Sequence, residues 1–173
     1  MADGILTILL RNVEVNLRDT TNYSSLSALK GWATVDEWRP LSLADPYVVI
    51  EPGPQGDTVQ GIAAQSWEQP VNVYVAKRSG ASLTGERALL GVKTTETSGL
   101  DSLATFVRKA LTRPSPYSDR KPSGASYVAQ TGVLHVEHVD TEYIGYQADA
   151  EEESAGVQVI RLGFIYYMVD SKA

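Results

Sequence analysis

The two histidines of the chain, His135 and His138, stand three residues apart beside Glu137 and Asp140, the closest the sequence comes to a metal-binding or proton-transfer set. Imidazole and carboxylate are the usual groups for both tasks, so their geometry decides the matter. The surrounding stretch at 133–146, VLHVEHVDTEYIGY, alternates as a strand does. In an extended chain residues three apart point to opposite faces, so the imidazoles cannot share a metal unless a bulge rotates one of them. No set of four ligands at a known spacing is present, and a metal site is not expected.

Glu151, Glu152 and Glu153, with Asp149, form the densest run of carboxylates. A calcium loop spaces its acids as DxDxDG, whereas neighbouring acids at a hairpin tip are ordinarily a solvated surface. Gly80, Gly85 and Gly91 fit neither GxGxxG nor GxxxxGK[ST], and no GxSxG occurs. The chain has no cysteine, which removes thiol nucleophiles, thiolate metal sites and disulfides. No catalytic set and no cofactor emerge, and a protein that is not an enzyme is expected.

Aromatic area is what the sequence holds in surplus. Trp32 and Trp38 lie in a polar, turn-rich stretch, and Tyr143, Tyr146, Tyr166 and Tyr167 crowd the C-terminal region. Each could finish a core, since large rings are costly to leave in water. Tryptophan and tyrosine are also enriched at interfaces, which makes Trp32, Trp38, Tyr143, Tyr146 and Tyr167 candidate contacts with another subunit or a partner.

The elements that would position these residues follow from periodicity. Leu6, Leu9, Leu10, Val13 and Leu17 fall on one stripe of a helix over 5–17, with Asp3 able to cap it. Short helical turns are expected at 25–31 and 34–39. YVVIE at 47–51 and VNVYVAK at 71–77 read as strands of a hairpin with a projecting loop or arm at 52–70, and PGPQG turns the chain after the first. The region 79–98 reads as a flexible connection with a helical turn at 86–90. Ser98 caps a helix over 99–111, whose stripe is Leu100, Leu103, Ala104, Val107 and Leu111. Pro114 and Pro116 end it.

Two long strands close the sequence. The alternation of 133–146 slips near His138 and Asp140, predicting a bulge. In 157–169, VQVIRLGFIYYMV, one face is wholly apolar (Ile160, Leu162, Phe164, Tyr166, Met168), and Val157, Val159, Ile165 and Tyr167 on the other also need cover. An acidic turn joins the two in an antiparallel hairpin. The expected fold is one α+β domain over 1–173: an antiparallel or mixed sheet with helices packed on one face, in the order helix–hairpin–helix–hairpin.

A length of 173 residues suits one sizeable core. The 43% hydrophobic content contains no run near the ~20 residues of a membrane span, and the 5–10 stretch lacks the basic flank of a signal peptide. A net charge of −6 disfavours tight nucleic-acid binding, yet suits a wall that DNA must pass without sticking.

This plan resembles the tail terminator, or tail completion, proteins of tailed bacteriophages. The helix at 5–17, YVVIEPG at 47–53, VNVYV at 71–75, LDSLATFVRKAL at 100–111 and VQVIRLGFIYYMVD at 157–170 carry the likeness. The resemblance implies a ring of subunits, typically a hexamer, at the head-proximal end of the tail tube. There it would stop tube polymerisation, offer the head or neck a docking surface, and leave a DNA channel. Its implied partners are copies of itself, the tail tube protein, a neck or connector protein, and a sheath protein where the tail contracts. DNA would transit without specific binding, no membrane is involved, and the place is the virion after assembly in the host cytoplasm. Glu151, Glu152 and Glu153 would then lie at a rim or lumen. Another neck or head–tail connector ring protein, or a non-enzymatic α+β binding module, remains the alternative.

Overall fold

The computed structural model describes residues 4–18, 20, 24–34, 44–56, 58–61, 64–79, 91–92, 97–112, 132–146 and 156–171. Helix α1 (Ile5–Arg18) leads through a 3₁₀ turn (Ser24–Ala28) to strands β1 (Gly31–Thr34), β2 (Tyr47–Pro52), β3 (Thr58–Gln60) and β4 (Ala64–Ser79). A small ladder, β5 (Gly91–Val92) with β6 (Thr97–Ser98), precedes α2 (Leu100–Thr112), and β7 (Gly132–Tyr146) and β8 (Gly156–Ser171) follow. Among the described residues the protein is α+β, with a mixed six-stranded sheet and two α-helices.

β8 is the spine of that sheet. Its neighbours are β4, paired antiparallel from Ala64↔Ser171 to Ser79↔Gly156, and β7, paired antiparallel from Gly132↔Val169 to Tyr146↔Val157. The order across the sheet is β1-β2-β4-β8-β7, with β3 beside β4. The β2–β4 hairpin and the long β7–β8 hairpin form as the alternation predicts, and the register slips between His138 and Asp140.

Alternate strand residues supply the main core. Val48, Ile50, Val71, Val73, Val75, Ile160, Leu162, Phe164, Tyr166 and Met168 share one buried cluster with Leu9, Val13 and Leu17 of α1 and Leu100, Leu103, Val107 and Leu111 of α2. The helix stripes read from the sequence are thus buried except at Leu6, which is 41% exposed. A smaller cluster of Tyr47, Val49, Ala76 and Val159, with Tyr74, Ile144 and Val157 packed against it, is built from the intervening residues of the same strands.

Three expectations need correction. Strands β1, β3, β5 and β6 are added to the helix and hairpin plan. The helical turn expected to reach Gly31 stops at Ala28, because Gly31–Thr34 pairs in parallel with Tyr47–Ile50. A four-residue edge strand has too little pattern of its own to show in sequence. Of the turn expected at 34–39, Thr34 ends β1 instead and 35–39 lie outside the described residues, as does the turn expected at 86–90.

The segment at 52–70 is not a free arm. Gly53 N–H and Gly56 N–H donate to the carbonyls of Pro70 and Glu68, both at 2.8 Å, and β3 then pairs Thr58↔Trp67. Because β8 runs along the other side of β4 as far as Ser171, the arm is a ribbon continuous with the sheet. Pro70 lies inside it and lacks an N–H. Gly53 O, which a residue with an N–H at 70 would reach, instead accepts from Gln69 Nε2 at 2.9 Å. That substitution explains why Gln69 is buried.

Candidate interaction surfaces

The sheet residues that alternate with the main core carry a polar network centred on Arg161 of β8. Its Nη2 lies 2.9 Å from Asp140 Oδ2, its Nε donates to Glu142 Oε2 at 3.0 Å, and Nη1 donates to Asn72 Oδ1 at 3.4 Å. Burial is the largest influence on the guanidinium and works against its charge, but Asp140 and Glu142 together outweigh it and raise its pKa. Gly163 stands opposite Asp140 in the ladder, and a Cβ there would collide with the Asp140 carboxylate. Glycine at 163 therefore serves space rather than backbone conformation.

Tyr74 of β4 extends this network. Its hydroxyl donates to Glu51 Oε2 at 2.8 Å. Burial first, then the bond to Glu51, pushes its pKa up to about 12. The arrangement ties Glu51, Asp140 and Glu142 to Tyr74 and Arg161. It fixes carboxylates on the surface, and exposed pairs of this kind are worth ~0–1 kcal/mol each.

The histidines occupy opposite faces, as their spacing requires. His135 stacks on Tyr167 with centroids 5.7 Å apart, while His138 meets Phe164 edge-on at 5.5 Å and its Nε2 lies 2.9 Å from Thr141 Oγ1. Among the described residues no group of three or more His, Cys, Asp or Glu side chains is placed to hold a metal. None of their helices is long and apolar enough to cross a membrane.

The aromatic candidates divide. Trp32 packs partly buried against the main core, with the Arg18 guanidinium 4.5 Å over its ring. Tyr143 is 51% exposed, and its hydroxyl donates to Gln158. Tyr167 is half-buried, and its hydroxyl donates to Glu137 Oε2 at 3.1 Å, which raises its pKa. Tyr146 forms the last pair of the β7–β8 ladder, opposite Val157. Trp38, Glu151, Glu152 and Glu153 lie outside the described residues. Among the described candidates, Trp32 lies against α1 on β1, whereas Tyr143 and Tyr167 lie on the β7–β8 hairpin.

A cleft that the sequence did not reveal lies between the start of α1 and the β3–β4 ribbon. It holds about 360 Å³ and is lined by Leu6, Leu9, Gln55, Gln65, Trp67 and Met168, with Gly53 and Gln69. That volume is near the lower end of small-molecule sites, ~300–1,000 Å³. Its signal in sequence was faint, a run of uncharged residues at 58–67 too weakly alternating to assign.

At the sheet edge, β7 pairs on one side only among the described residues. Val139, at the register slip, is 51% exposed there. In comparisons with known proteins, no family model and no curated protein matches the chain.

Proposed function

We propose that this protein is a non-catalytic structural subunit that assembles into a ring of the tail-terminator kind. Placed at the head-proximal end of a phage tail tube, the ring stops polymerisation and offers the head or neck its docking surface. The observation that carries this reading is the one-sided pairing of β7. Unpaired strand edges are ordinarily blocked or used for pairing, and from Asp140 to Tyr146 the β7 ladder is regular and free of proline and lysine.

Charge selects the mode of assembly. Glu137, Asp140 and Glu142 lie along β7, so two β7 edges set together would place acids against acids. A head-to-tail contact avoids this, and such a contact closes into a ring when its rotation closes. The same acidity suits a channel wall past which DNA must slide. The reading takes the chain as one domain whose helices cover one sheet face, with the helix–hairpin–helix–hairpin plan beneath the added strands.

Sedimentation equilibrium over a concentration series, alone and with growing tail tubes, tests the proposal. A closed oligomer that arrests tube length in electron micrographs is expected. A strict monomer that leaves tube growth unchanged would overturn it.

A further inference from the structure

The β3–β4 ribbon has two unlike faces. Thr58↔Trp67 and Gln60↔Gln65 are opposed pairs, and Trp67 and Gln65 line the cleft, so this face is the one that looks towards α1. Val59 pairs with Ser66 and therefore projects from the other face. It is 68% exposed, the most exposed of the large apolar side chains among the described residues. Ser66 in turn stands opposite Val169 of β8, which is half-buried beside it. One face of the ribbon thus presents an apolar knob, and the reverse face carries a hole.

We infer that the cleft is the seat for Val59 of a second copy of this chain, so that the ribbon contributes to the head-to-tail contact between subunits alongside the β7 edge. Three observations lead there. Within one chain Val59 cannot enter its own cleft, because the two lie on opposite faces of the same ribbon. The residues lining the cleft are all uncharged, and so are Thr58, Val59, Gln60 and Ser66 around the knob. In a chain of net charge −6, copies repel, and a contact without charge is where that repulsion costs least. Glu68, exposed on β4 on the knob side, stays at the rim of such a contact.

The cleft also has the composition to hold a strand tip. Leu6, 41% exposed, with Trp67 and Met168 provides apolar walls, and the amides of Gln55 and Gln65 flank them. Uncharged amides can bond the backbone of an incoming strand where a charged group would be left desolvated. A knob and a hole on opposite faces repeat in one direction, which is what a ring requires and a two-fold dimer does not.

The inference rests on the ring reading above, and the experiment separates the two. Val59→Asp leaves the monomer fold untouched, because the side chain is exposed, and should weaken self-association about tenfold or more, with the melting temperature unchanged at dilutions where both proteins are monomeric. As a second measurement, the absence of native cysteine makes a mixed cross-link clean. Val59→Cys in one preparation and Leu6→Cys in another should give, on mild oxidation of the mixture, a disulfide dimer containing both variants. If the wild type assembles, Val59→Asp assembles equally well and no mixed dimer forms, the Val59 contact is wrong while the ring stands. A wild type that remains monomeric at every concentration overturns both.

Discussion

At the residue scale, the most informative position is one the sequence disguises. Pro70 lies within β4, and the loss of its N–H is made good by the Gln69 side chain reaching Gly53 O and, at 3.0 Å, Pro70 O. Removing that amide leaves a backbone acceptor short of a donor. Gln69→Ala should therefore cost about 1–3 kcal/mol in urea melts. In a Pro70→Val background, where an N–H is again available, the same change should cost at least about 1 kcal/mol less. Equal losses in both backgrounds would show that the two residues are not linked.

Tyr74 gives a pH signature at the same scale. Its folded pKa is raised, from 10.0 to about 12, so the protonated hydroxyl is the form the fold favours. The sign follows from linkage: this stability is fully present below pH 10 and is lost as pH rises towards 12. At ~1.36 kcal/mol per unit the ceiling is about 2.7 kcal/mol, and solvent screening at a half-buried site leaves roughly 1–2. Tyr74→Phe should flatten the alkaline fall in stability by about that much when melts at pH 9 and pH 11.5 are compared. An unchanged slope would assign the fall to other groups, such as Tyr167.

At the scale of elements, the helices owe their place to packing more than to propensity. Leu103 is 1% exposed within the cluster that α2 shares with β4 and β8. Leu103→Ala should cost about 2–5 kcal/mol, the range for a truncated core leucine. A loss under about 1 kcal/mol in denaturant melts would place that face of α2 outside the core. The β4–β8 pairing works on the same scale, because each strand buries alternate residues in the main core. Sixteen consecutive pairs also carry the polar end of β4, which has little hydrophobic pattern of its own.

For the whole molecule, charge and shape act in opposite directions. Copies bearing −6 repel one another, whereas the proposed contact at Val59 and the cleft is uncharged. Screening should therefore strengthen assembly. The oligomeric fraction at fixed concentration should rise as salt is increased from about 0.05 M to about 0.5 M, since the Debye length falls from roughly 14 Å to 4 Å. Dissociation on adding salt would indicate a contact made by opposite charges, with Arg161 and the acids of β7 the first groups to examine.

Much of the architecture is local and was therefore legible. The leucine stripes of α1 and α2, the alternation of β7 and β8, and the slip near His138 are all near-neighbour patterns, set by side-chain periods of 3.6 and 2. The opposite facing of the two histidines follows from the same rule. What the tertiary structure decided depends on residues far apart in the chain. β1 exists because β2 offers it a parallel edge, and residues 58–60 and 64–70 are sheet because β4 pairs with β3 on one side and with β8 on the other. The Arg161 network gathers residues from three strands, and the cleft sets Leu6 against Trp67. Trp32 was legible as a large ring needing cover, but that Arg18 provides part of it came from the fold. Periodicity tells which face a side chain takes, and only the folded register tells what stands across from it.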